Sequence, residues 1–92
     1  MMLAVASPPP LKCYASARAA YPASTKIVKV VRDGDWAVVR FEDEVADADL
    51  FIIRHGRWCA YGHGKGGALP LAAWGVPPDV ARRLSAKLYG RP

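Results

Sequence analysis

Residues 25–41 read TKIVKVVRDGDWAVVRF, and this stretch decides the fold. Thr25 to Val31 is dense in β-branched side chains, which fit a pleated strand better than a helical turn. Trp36 to Phe41 is a second run of the same kind. Asp33-Gly34 stands between them. That pair favours a two-residue hairpin turn, because glycine takes a positive φ without a steric cost. The stretch therefore predicts two antiparallel strands.

The same grammar continues downstream. Leu50 to Arg54 (LFIIR) reads as a third strand, His55-Gly56 as a two-residue turn, and Arg57 to Tyr61 as the start of a fourth. The intervening run from Glu42 to Asp49, EDEVADAD, holds five of the eight acidic residues and reads as a solvated hairpin loop. It lacks the glycine and the closing bidentate glutamate of an EF-hand loop. Short connections make neighbouring strands pair in sequence order.

Helices are expected on either side of this meander. Leu11 to Tyr21 (LKCYASARAAY) is rich in alanine and is closed by Pro22. Leu69 to Trp74 reads as one helical turn stopped by Gly75. Pro77 to Tyr89 carries full helix punctuation. Two prolines and Asp79 open it, Val80, Leu84 and Leu88 form an i+4 stripe, and Arg82, Arg83 and Lys87 fall where the dipole favours cations. The expected fold class is α+β: an N-terminal helix, a four-stranded antiparallel meander, and a C-terminal helix packed on one sheet face. Trp36, Trp58, Phe51, Ile53 and Val38 or Val39 are the expected core. In outline this order is similar to the cystatin/NTF2-like architecture, a likeness of topology that carries no function.

Ninety-two residues make one domain, 11–92 in this reading, after an N-terminal segment 1–10. The composition, 52% apolar and 23% charged, is that of a globular chain. The net charge of +5 suits an acidic, anionic-lipid or nucleic-acid partner without choosing one. The opening residues MMLAVASPPP contain Ala4-Val5-Ala6, an A-x-A pattern like a signal-peptidase site, but no basic n-region. They read either as a signal-peptide remnant or as a flexible N-terminus, with Pro8 to Pro10 a stiff spacer. No stretch is long enough to span a membrane.

At DGDWAVVRF, DLFIIRHGRW and GVPPDVARRL the chain resembles a loose group of small exported bacterial domains, of actinobacterial type and without an assigned activity. The resemblance covers roughly residues 27–88 and consists of short motifs. It implies the α+β fold and a secreted or cell-envelope location, with a cytoplasmic one as the alternative. It implies no catalytic residue.

The segment from His55 to Ala68, HGRWCAYGHGKGGA, holds both histidines and five of the eight glycines. On an ideal strand His55, Cys59 and His63 would share a face, which a metal- or thiol-dependent site could use. Against this, His55 sits in a turn, and the chain has no C-x-x-C or H-E-x-x-H. No metal and no cofactor are expected. Gly62 to Gly67 matches G-x-G-x-x-G formally, but no helix and parallel strand follow as a dinucleotide fold requires. Its simpler reading is a loose loop. Cys13 and Cys59 would form a disulfide in an exported domain, closing a loop of about 47 residues and contributing roughly 4 kcal/mol. In a reducing compartment they would be two buried thiols.

The function expected from the sequence is a non-catalytic binding or interaction module for a protein or cell-envelope ligand. Tyr61, His63, Lys65 and Trp74 are its candidate contacts, since exposed Tyr and Trp make good binding anchors. The alternative is a small basic nucleic-acid-binding protein. In that reading Arg54, Arg57, Arg82, Arg83, Lys87 and Arg91 meet phosphates, and Trp58, Tyr61 and Tyr89 stack on bases. The acidic run opposes it, and no RNP-like or helix-turn-helix motif is visible.

Overall fold

The computed structural model describes residues 12–42, 46–65 and 70–88. Within them the chain forms strand β1 (Cys13–Tyr14), a 3-10 turn (Arg18–Ala20), strands β2 (Lys26–Asp33), β3 (Trp36–Glu42), β4 (Ala46–Arg54) and β5 (Arg57–Lys65), and helix α1 (Pro78–Leu88). The strands make one antiparallel sheet in the order β1-β5-β4-β3-β2. The expected meander is present as β2 to β5. The expected N-terminal helix is not. Among the described residues five strands and a single C-terminal helix replace the four strands and two helices read from the sequence.

The correction has a local cause. Alanine-rich Leu11 to Tyr21 has good helix propensity, but propensity is a weak prior that tertiary contacts override. Here Cys13 lies directly opposite Cys59 and the two are bridged, so Cys13 and Tyr14 become a fifth strand on the edge of β5. Lys12 carbonyl accepts from Ala60 N–H at 2.8 Å and extends that pairing. After Tyr14 the chain turns over the sheet. It is fastened by Arg18, which donates to the Thr25 carbonyl at 2.9 Å and also to the Pro22 carbonyl.

Both hairpin turns follow their glycines. Gly34 has φ 59°, at the first position of the β2–β3 turn, and His55 and Gly56 are both at positive φ (51° and 75°), the pattern of a type I′ turn. β3 and β4 are central and covered on both sides. Ala37, Val38 and Val39 are therefore all fully buried in succession, as are Leu50 and Phe51.

The sheet has two apolar faces. One holds Val31, Val38, Ala48 and Leu50 beneath Leu71, Val76, Leu84 and Leu88. Leu84 and Leu88 come from the predicted helix stripe, and each contributes about 1.5–3 kcal/mol by burial. Asp33 anchors this helix to the sheet through Arg83 (2.6 and 3.1 Å) and Lys87 (3.5 Å). The other face holds Ala37, Val39, Phe51 and Ile53 beneath Tyr14, Ala17, Ala20, Tyr21, Ile27 and Trp58. The N-terminal arm thus does the covering that a first helix was expected to do.

Two β-bulges set which side chains go to which face. The pairing between β2 and β3 slips after Ile27, leaving Val28 unopposed, and that between β4 and β5 slips between Leu50 and Phe51, leaving Tyr61 unopposed. Each extra residue inverts the alternation beyond it. Ile27 therefore packs on the arm face and Val31 on the helix face, although they stand four residues apart.

Candidate functional site

The Tyr61 bulge organises the fourth meander strand. Tyr61 is 41% exposed and meets the Trp36 ring edge-on, with centroids 5.4 Å apart. The next residue, Gly62, lies against Trp74, so closely that an added Cβ would be 2.9 Å from the indole. Trp36 and Trp74 both pack on the helix-face core while remaining partly exposed. Gly75, at φ 89°, turns the chain beside the Tyr61 hydroxyl. Trp36, Tyr61 and Trp74 thereby form a partly exposed aromatic surface on the helix face. An open groove lies between Pro70–Ala73 and α1, apolar except for Arg82 and Ser85.

His63 lies on the opposite face. The Tyr61 bulge puts Cys59 opposite Ile52 and His63 opposite Asp49, on different sides of the sheet. His63 Nδ1 is 2.5 Å from Asp49 Oδ1, and its Nε2 is 3.7 Å from Asp47 Oδ2. Tyr21 donates its hydroxyl to Asp49 Oδ2 at 2.6 Å, and its ring packs on Phe41 at 4.8 Å. Burial, then the hydrogen bond to Asp49, pushes the Tyr21 phenol far above its ordinary value, since phenolate would be desolvated beside a carboxylate. Asp47 Oδ1 is buried with no hydrogen-bond partner among the described residues. Asp49 therefore orients His63 and Tyr21 together, while Asp47 remains half-satisfied.

This cluster uses residues the sequence reading assigned to a solvated loop. Asp47 and Asp49 belong to β4, which begins at Ala46 and not at Leu50. The alternation A-D-A-D-L from Ala46 to Leu50 is the period-2 signal that places both aspartates on one face. Likewise β5 runs on through Gly62 to Lys65, where a loose loop was expected.

The four candidate contacts do not converge. Tyr61 and Trp74 share the helix face, His63 is on the arm face, and Lys65 ends β5 opposite Asp47. Nor do His55, Cys59 and His63 meet. His55 occupies the turn, Cys59 is bonded to Cys13, and His63 faces Asp49. Among the described residues no group of three or more His, Cys, Asp or Glu is arranged to hold a metal ion. Residues 1–10, Gly66–Ala68, Tyr89 and Arg91 lie outside the described residues.

The Cys13–Cys59 disulfide fits an oxidising compartment. Among the described residues no helix is long and apolar enough to cross a membrane. No family model, no curated protein and no solved structure matches this chain.

Proposed function

We propose that the protein is a small exported module that works by binding, without catalysis of its own, and that Tyr61 is the centre of its contact surface. Export is supported by the disulfide and by the resemblance of the DGDWA, GRW and GVPPDV motifs to small exported bacterial domains. The surface is supported by one observation above the others. A bulge turns Tyr61 out of the alternation of β5, with Trp36 against its ring and Trp74 beside it. Bulges recur where a strand must re-aim a side chain for function. Tyr and Trp held by their neighbours lose little entropy on contact and are the residues most often found at binding hot spots.

Photo-crosslinking tests this reading. A benzophenone amino acid replaces Tyr61 in one variant and Arg32, on the far edge of the sheet, in another. Both are expressed in the native host. The reading predicts one dominant adduct from position 61, none from position 32, and loss of the adduct when Trp74→Ala is added. Equal labelling from both positions, or no adduct from position 61 in any fraction, overturns it. Trp74→Ala is checked for folding by the unchanged protection of its disulfide from alkylation.

A further inference from the structure

Lys29 and Arg40 are direct cross-strand partners on β2 and β3. Such partners share a sheet face with Cβ atoms about 5 Å apart, and like charges placed so are destabilising. Both side chains are partly buried. Among the described residues neither has a hydrogen-bond or ion-pair partner. Lys26 adds a third cation to the same face, because its partner Glu42 stands two residues beyond Arg40 on β3. Glu42 is exposed and makes no ion pair with Lys26 or Arg40. Alongside, Arg40 is opposite Ala48, a small buried residue in the cluster that includes Leu88, so the pair borders an apolar floor.

Six other basic residues are used differently. Arg83 and Lys87 are committed to Asp33, Arg82 to Asp79, and Arg18, Arg32 and Arg57 to backbone carbonyls. The acids of the Asp47–Asp49 cluster face the opposite side of the sheet, since Asp49 is opposite Val39 and Asp47 opposite Phe41. Among the described residues two partly buried cations are thus held together with no carboxylate engaging them.

We propose that Lys29 and Arg40, with Lys26 at the rim, form a binding site for a compact oxyanion of the phosphate-monoester class. Arg40 supplies a fork that can grip two oxygens, and Lys29 a point charge. One small dianion would neutralise both cations and remove their mutual repulsion. The cations are gathered in one place and do not form a stripe, which favours a single terminal phosphate over a polymer backbone. The site lies away from Tyr61 and stands independently of the surface proposed above.

The test titrates the folded protein with inorganic phosphate at constant ionic strength, following side-chain resonances of Lys29 and Arg40 and the melting temperature. Chloride is the control. A saturable shift at both residues is expected, with a rise in melting temperature. Arg40→Gln and Lys29→Gln should weaken binding at least 10-fold. Without phosphate they should melt no lower than the parent protein, since each removes a like-charge contact. Lys12→Gln and Arg54→Gln, far from the site, should bind as the parent does. Vesicles of phosphatidic acid in phosphatidylcholine identify the source. Competition between vesicle and phosphate at the same residues assigns a lipid headgroup, and phosphate binding alone assigns a soluble ester. Equal loss from all four variants overturns the proposal, as does an unsaturable shift. Tighter binding of a single-stranded oligonucleotide than of phosphate, with affinity falling for every cation removed, overturns it in favour of a nucleic-acid surface.

Discussion

Gly62 lies under the Trp74 indole so closely that a Cβ on the glycine would stand 2.9 Å from ring carbons Cδ2 and Cε3. The ring is part of the helix-face packing and has no flexible end that can yield. Gly62→Ala should therefore cost about 1–3 kcal/mol, as overpacking does. Urea unfolding followed by tryptophan fluorescence measures this. Gly34→Ala is the contrast. A Cβ there meets nothing within 4 Å, so any cost arises from its φ of 59°.

The Cys13–Cys59 bridge spans 46 residues, and it ties down the arm that covers one apolar face. Its removal by a Cys13→Ala/Cys59→Ala pair should cost roughly 4 kcal/mol on the chain-entropy account. Against a typical domain stability of about 5–15 kcal/mol, that is a large share. The urea midpoint should fall accordingly. Amide exchange should rise first at Cys13–Tyr14 and over the arm, with β3 and β4 following only on global unfolding. Uniform exchange in all strands would mean the arm has no separate opening.

Asp49 and Asp47 are neighbours on one face, yet their replacement should differ. Asp49 accepts from both Tyr21 and His63, so Asp49→Ala strands a partly buried hydroxyl and should cost about 1–3 kcal/mol. Asp47 leaves one oxygen buried and unpaired among the described residues, so Asp47→Ala removes that penalty along with a distant histidine contact. Its cost should be under half that of Asp49→Ala in the same denaturation assay. Equal costs would show that Asp47 is satisfied in solution.

The meander and the C-terminal helix were legible because their signals are local. A glycine turn, β-branched runs and an i+4 leucine stripe need no distant partner to be read. The arm was not legible, because Cys13 and Tyr14 become a strand through a partner 46 residues away, within an alanine-rich segment whose local propensity is helical. The faces of β5 were misread for a different reason. Cys59 and His63 share a face on an ideal strand, and only the bulge at Tyr61 separates them. A bulge leaves little trace in composition. The aspartates of β4 are an intermediate case. Their alternation with Ala46, Ala48 and Leu50 was visible, but the density of acids suggested a loop.

Asp33 joins the end of β2 to helix α1, and its hydrogen bond to Arg83 holds its carboxyl below the usual value, with Lys87 adding to the effect. A lowered folded pKa means that the contribution is present above the unfolded value of about 4 and is lost as pH falls through the folded value. Asp33→Asn should melt below the parent at neutral pH. The gap should narrow as pH falls below about 4 and close below the folded value, where the parent's carboxyl is protonated as well. Thermal melts of both proteins between neutral and acid pH check this, and a gap that is constant with pH would assign the effect to packing.

Tyr21 sets the opposite limb. Its phenol is raised by burial and by Asp49, so the folded state prefers the neutral form more strongly than the unfolded chain does. The sign follows from linkage. The contribution is complete below the unfolded value of about 10 and declines as pH rises above it, because the unfolded chain then releases a proton that the folded chain retains. Stability should therefore fall steeply in alkali, and Tyr21→Phe should flatten that limb while keeping the ring contact with Phe41. Absorbance at the phenolate band gives the direct reading. In the folded protein one of the four tyrosines should ionise only with unfolding, and Tyr21→Phe should abolish that late step. If the late step survives in the variant, another tyrosine carries it and the Tyr21–Asp49 bond does not govern the alkaline limit.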